Sequence, residues 1–145
     1  MSPQLIAELK SFYQKHPECV GVAVNDQKIL EIEHVLQVKC DPFYRSFIQK
    51  FGGAYAGLSI YAIENADILG NETVVQMTQH AREMVQEYNS QHGLLSGLVI
   101  SDDGVGNPIY IRVDSTVYVF YHDDFTEKYL AENLEQLIQD SFTAW

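Results

Sequence analysis

The sequence is short of cysteine, of positive charge and of long apolar runs, and each shortage removes a class of protein. Two cysteines in 145 residues, Cys19 and Cys40, cannot build the disulfide framework of a small secreted scaffold, and both are expected to be free thiols. The longest wholly apolar stretches, such as Val117–Tyr121, are of strand length, whereas a membrane span needs about 20 residues. No basic segment leads into an apolar one near Met1, because Glu8, Lys10 and Lys15 interrupt the pattern, so a cytoplasmic location is expected. Nine Lys and Arg against 20 Asp and Glu give a formal charge of −11. Such a polyanion is repelled by phosphates and by anionic lipid heads, so neither nucleic acid nor a membrane is an expected partner.

Catalytic signatures are missing too. There is no glycine-rich phosphate loop followed by Lys, no Gly-x-Ser-x-Gly, no Cys-x-x-Cys and no His-Glu-x-x-His. Asp102-Asp103-Gly104 begins like a calcium loop, but Gly104 and Gly106 stand where the next oxygen ligands belong. His122-Asp123-Asp124 could join Asp102 and Asp103 around a metal, yet no spacing fixes a coordination shell, and solvated turns account for all of them. Nothing sets either cysteine beside one of the five histidines as a nucleophile would require. The expectation is a protein without catalytic residues, cofactor or metal.

What is present is an ordinary globular composition, 46 % apolar and 20 % charged, for one domain spanning residues 1–145. A chain of this size buries roughly two-thirds of its unfolded surface. The charge is unevenly spread. Residues 1–57 carry six acids and six bases, residues 58–94 five acids and one base, and residues 95–145 nine acids and two bases. All of the excess negative charge therefore lies beyond residue 57. It either serves solubility or forms an acidic face for a basic partner, whose approach it would steer.

Apolar periodicity places a helix over residues 5–13, ended by Pro17, and a strand or buried connector over Val20–Val24. Asn25-Asp26 can cap a second helix with Ile29, Ile32, Val35 and Leu36 inward. Asp41-Pro42 starts a third, with Phe43, Tyr44, Phe47, Ile48 and Phe51 at helical spacing and Gly52-Gly53 as the stop. Residues 58–63 have strand composition. Asn71 is expected to cap a long helix with Val74, Val75, Thr78, Ala81, Val85 and Tyr88 on one stripe, and Gly93 and Gly97 bracket the next break. Three strand candidates follow, Leu98–Ser101, Ile109–Val113 and Val117–Tyr121, joined by turn-rich loops suited to antiparallel hairpins. Gly104 and Gly106 invite positive φ in the first of those loops, and Asn107 tolerates it. A last helix is expected to bury Leu130, Leu134, Leu137, Ile138 and Phe142. The fold class is α+β: a single domain with a twisted, mostly antiparallel sheet of about four to six strands flanked by helices.

Two blocks carry a resemblance. The first is Ile32-Glu33 with Leu36 and Val38, then Pro42, Tyr44, Phe47, Ile48, Phe51 and Gly52-Gly53. The second, more specific, is Leu98–Ile111, an apolar strand, an Asp-Gly-x-Gly-Asn turn and a second strand. Together with Val117–Tyr121, His122-Asp123 and the final helix they span roughly residues 29–140, and the chain resembles the SUKH superfamily, the Smi/Knr-like domains. That resemblance implies an α+β fold and a binding role: many such domains are bacterial immunity proteins of polymorphic toxin systems, which neutralise a cognate toxin, often a nuclease or nucleic-acid deaminase. The alternative, from a different class, is a cellular regulatory or scaffolding module of the same fold with no toxin partner.

A toxin that works on nucleic acid needs a cationic site, and an acidic protein can occupy it as a phosphate mimic. The expected contact surface gathers Asp102, Asp103, Asp114, Asp123 and Asp124 around Tyr110, Tyr118 and Tyr121. Strand alternation sets Tyr110 and Arg112 opposite Ile109, Ile111 and Val113, so one face would be core and the other contact.

Overall fold

Short capping signals set the first three helices in place. The computed structural model describes residues 1–145. Helix α1 (Pro3–Lys15) starts with the Ser2 hydroxyl accepting from the Leu5 N–H and buries Leu5, Leu9, Phe12 and Tyr13. Asn25 caps α2 (Asp26–Leu36), which ends at Gln37 in the left-handed region. Asp41 caps α3 (Pro42–Phe51) by accepting from the N–H groups of Phe43 and Tyr44. Gly52 closes that helix at φ 63°; a Cβ there would lie 2.1 Å from the Val22 carbonyl oxygen. Val20–Val24 is a connector rather than a strand, and only Val24 of it is buried; its amides bond to Phe51 and Ile48 of α3 and to Glu64.

The middle of the chain departs from expectation in two ways. The strand expected at 58–63 contracts to Ser59–Ile60 (β2), paired with Ala54–Tyr55 (β1), because the next amide, Tyr61, turns to the Ile100 carbonyl instead. The long helix α4 (Val74–Tyr88) is capped by Thr73, not Asn71. Thr73 accepts from the Gln76 amide while the Gln76 side chain accepts from the Thr73 amide, a reciprocal capping box.

Four antiparallel strands follow, β3 (Leu98–Asp102), β4 (Pro108–Ile111), β5 (Val117–Tyr121) and β6 (Thr126–Ala131), in the spatial order β3-β4-β5-β6. Strand β6 corrects the expectation that Leu130 belongs to the last helix. Tyr121 pairs with Thr126 across a tight turn, and the ladder runs to Val117 opposite Ala131. Only then does Asn133 cap the closing helix α5 (Leu134–Ser141), so Leu130 belongs to the strand.

Both faces of the sheet are packed, which strand alternation alone does not reveal. Ile100, Ile109, Ile111, Val117 and Val119 join α1–α3 and α5 in the main core. On the other face Val99, Tyr110 and Phe120 form a second core with Met77, Ala81 and Val85 of α4. Tyr110 is therefore fully buried, and Val113, expected inside, is 83 % exposed beyond the end of β4.

Candidate functional site

One end of the four-stranded sheet is formed by the β3–β4 loop and the β5–β6 turn, and it collects Asp102, Asp103, Asp123 and Asp124. Gly104 and Gly106 sit at φ 89° and 88°, the left-handed conformation that their residue type permits. Those two glycines turn the loop so that the Asp103 carboxylate accepts from the amides of Val105 (3.1 Å) and Asn107 (3.1 Å) and from the Asn107 side chain (2.8 Å). Asp102 accepts from the Gly104 amide at 2.6 Å. Asn107 keeps negative φ and acts through its side chain. Its carbonyl oxygen accepts from the His122 amide at 3.0 Å and lies 2.6 Å from His122 Nδ1, which therefore carries the proton. One asparagine thus ties the two loops together.

Two of these carboxylates, Asp103 and Asp124, are held ionised. Desolvation pulls the Asp103 carboxyl upward, but the hydrogen bonds from Asn107 and the loop amides outweigh it and place it below the usual carboxylate range. The Thr126 hydroxyl and amide lower Asp124 in the same way.

Beside the loops, α4 adds features that sequence reading missed. Tyr88, expected on the buried stripe, is 56 % exposed and stacks on Phe125 at 4.3 Å between ring centroids and 15° between planes. Phe125 itself adopts φ 58°, an uncommon conformation for an aromatic residue. Between α4 and the β3–β4 loop lies an open cleft of about 410 Å³, lined among others by Glu72, Met77, His80, Met84, Asp102 and His122.

The remaining expected contact residues lie elsewhere. Tyr110 is structural: its hydroxyl donates to Glu127 at 2.6 Å and accepts from Arg112 at 3.2 Å. Burial first, then the bond to Glu127, raises its pKa and keeps it a donor. Glu127 also pairs with Arg112 and with His92 at 3.3 Å. The His92 Nδ1 accepts from the Leu94 amide, so its Nε2 faces Glu127 as the donor. Arg112 covers the Tyr118 ring at 3.7 Å, leaving Tyr118 half-buried. Tyr121 ends β5 at the acidic end but packs against the main core. Asp114 sits at the opposite end of the sheet, in the β4–β5 turn, accepting from Thr116.

No three His, Cys, Asp or Glu side chains converge as metal ligands. Cys19 and Cys40 are buried and unpaired; burial, and then Glu33, pushes the Cys40 thiol up to about 12. No helix is long and apolar enough to cross a membrane.

The family described as SMI1-KNR4 cell-wall, SUKH_5, matches residues 4–143. No curated protein matches the chain. With nearly its whole length matched, the chain belongs to this SUKH family.

Proposed function

We propose that this chain is a non-catalytic immunity protein that binds and neutralises a basic toxin, a nuclease or nucleic-acid deaminase, through the acidic end of its sheet. The observation that carries the reading is the cluster of Asp102, Asp103, Asp123 and Asp124 on two interlocked loops, with Asp103 and Asp124 held anionic by their own hydrogen bonds. A preformed array of carboxylates can take the place of substrate phosphates in a cationic site with little ordering cost. The stacked Tyr88 and Phe125 beside it supply rigid aromatic area, the kind of surface that dominates binding energy at interfaces. Membership of the SUKH family supports a binding role of this kind.

The test is coexpression with the toxin domain encoded beside the gene, scoring rescue of growth and measuring binding at two salt concentrations. Charge reversal of Asp102, Asp103, Asp123 and Asp124 together is expected to abolish rescue and to flatten the salt dependence, mainly through a slower association rate. Unchanged binding by a folded variant would move the interface to the neutral N-terminal half. Failure of the wild-type chain to bind would favour the regulatory or scaffolding role.

A further inference from the structure

The cleft between α4 and the β3–β4 loop has a composition that selects its occupant. Met77, Ala81 and Met84 from α4 and Val99 from β3 make an apolar floor, while Glu72 and Asp102 stand at its rim. His80 and His122 are the only other ionisable residues lining it, and no Lys or Arg does. Gly104 occupies Asp102 Oδ1, which leaves Oδ2 available. Glu72 is engaged only through its main-chain carbonyl, which accepts from Asn65. An anion would meet two carboxylates there. A wholly apolar group would strip water from those carboxylates without replacing its hydrogen bonds. At about 410 Å³ the cleft takes a side chain but not a helix, which is some 10–12 Å wide.

We propose that this cleft is a socket for one arginine side chain of the partner protein, an inference that rests on the binding role above. The methylene stem lies on the thioether floor, where methionines adapt to an irregular guest. The guanidinium reaches Asp102 and Glu72, to which it can present paired N–H donors, and its flat face suits the imidazoles of His80 and His122. Lysine, a compact and strongly hydrated point charge, gains less from such walls. The sheet-end aspartates would then steer the partner in, and the socket would hold it.

Two measurements separate this inference from the binding role. Methionine methyl NMR of the full chain, titrated with N-acetyl-arginine amide, is expected to show saturable shifts at Met77 and Met84 and none at Met1. The double variant Glu72→Gln, Asp102→Asn keeps the acceptor for Gly104 and is expected to weaken that binding by about tenfold or more, the loss of charge-assisted hydrogen bonds. The absence of shifts, or equal shifts with the lysine or norleucine amide, would overturn the socket. In the second measurement the toxin domain replaces the amide. A toxin that binds wild type and double variant with the same dissociation rate overturns the socket and leaves the binding role standing. Arginine-amide binding without any toxin binding does the reverse.

Discussion

The two ends of the four-stranded sheet are built from the same chemistry and used differently. At the β4–β5 end, Asp114 accepts from the amide and hydroxyl of Thr116, and Ser115 turns the chain at φ 75°. The Ser115 hydroxyl then donates to Asp41, the cap of α3, at 2.5 Å. On the same side Arg82 donates to the carbonyls of Leu36 at the end of α2 and Gly97 before β3. That end is fastened to the helical half. At the other end, the bonds of Asp102, Asp103, Asn107 and Asp124 stay within the two loops and their flanking strands. Aspartates in turns thus serve either attachment or display, and the difference is whether another part of the chain lies opposite. The displayed end is the one free to meet a partner.

If this division is right, the fastened end carries stability and the free end carries binding. The largest stability loss is expected from Asp41→Ala, which removes the carboxylate that accepts from two amide N–H groups at a buried cap and from the Ser115 hydroxyl. The cost should be about 2 kcal/mol in denaturant unfolding, with toxin binding unchanged at concentrations where the variant is folded. Gly106→Val comes next. Space is open around that Cα, the nearest atom to an added Cβ being His122 Cε1 at 3.7 Å, so the penalty is one of backbone conformation. It should exceed about 1 kcal/mol and, unlike Asp41→Ala, it should also impair binding. A Gly106→Val variant with wild-type stability would contradict the positive φ.

A smaller effect should come from Asp103. Its folded-state pKa is depressed, so its contribution is present above the unfolded carboxylate value of about 3.9 and disappears as pH falls through the lower folded value. Asp103→Ala should therefore lower the melting temperature at pH 7, and its difference from wild type should shrink as pH falls below the unfolded carboxylate value of about 3.9, read by thermal scans at falling pH. Parallel curves at every pH would show that the loop bonds do not depend on the charge. The smallest effect belongs to Asp114→Asn, fully exposed and bonded only within its turn, for which neither melting temperature nor partner affinity should change.

The elements that were legible in the sequence are those defined by local signals. Asn25-Asp26 and Asp41-Pro42 state where two helices begin, and Gly104 and Gly106 state where the acidic loop turns. Thr73 was legible as well, since Thr73 and Gln76 have capping-box spacing, but Asn71 offered a competing cap two residues earlier. Strand β6 was hidden because Leu130, Leu134, Leu137 and Ile138 repeat at helical intervals, and only pairing with β5 decides that Thr126–Ala131 is extended. The burial of Tyr110 was hidden for a related reason. Alternation says which residues share a face, and it says nothing of whether a distant helix covers that face, as α4 does here. The four clustered aspartates were found because they lie in two turns at neighbouring strand ends, while Asp114 was grouped with them only by charge. The cleft, and the exposed stack of Tyr88 on Phe125, arise from elements far apart in the chain and have no local signature.

On the proposed binding role, the free end of the sheet, and not the fastened one, is the surface that meets the toxin. That claim is tested most directly by measuring association and dissociation rates for the toxin domain with two variants at two salt concentrations: Asp102→Asn, Asp103→Asn, Asp123→Asn, Asp124→Asn combined, and Asp114→Asn alone. The expected result is slow, salt-insensitive association for the combined variant and wild-type kinetics for Asp114→Asn. Equal kinetics for both variants and the wild type would contradict the claim.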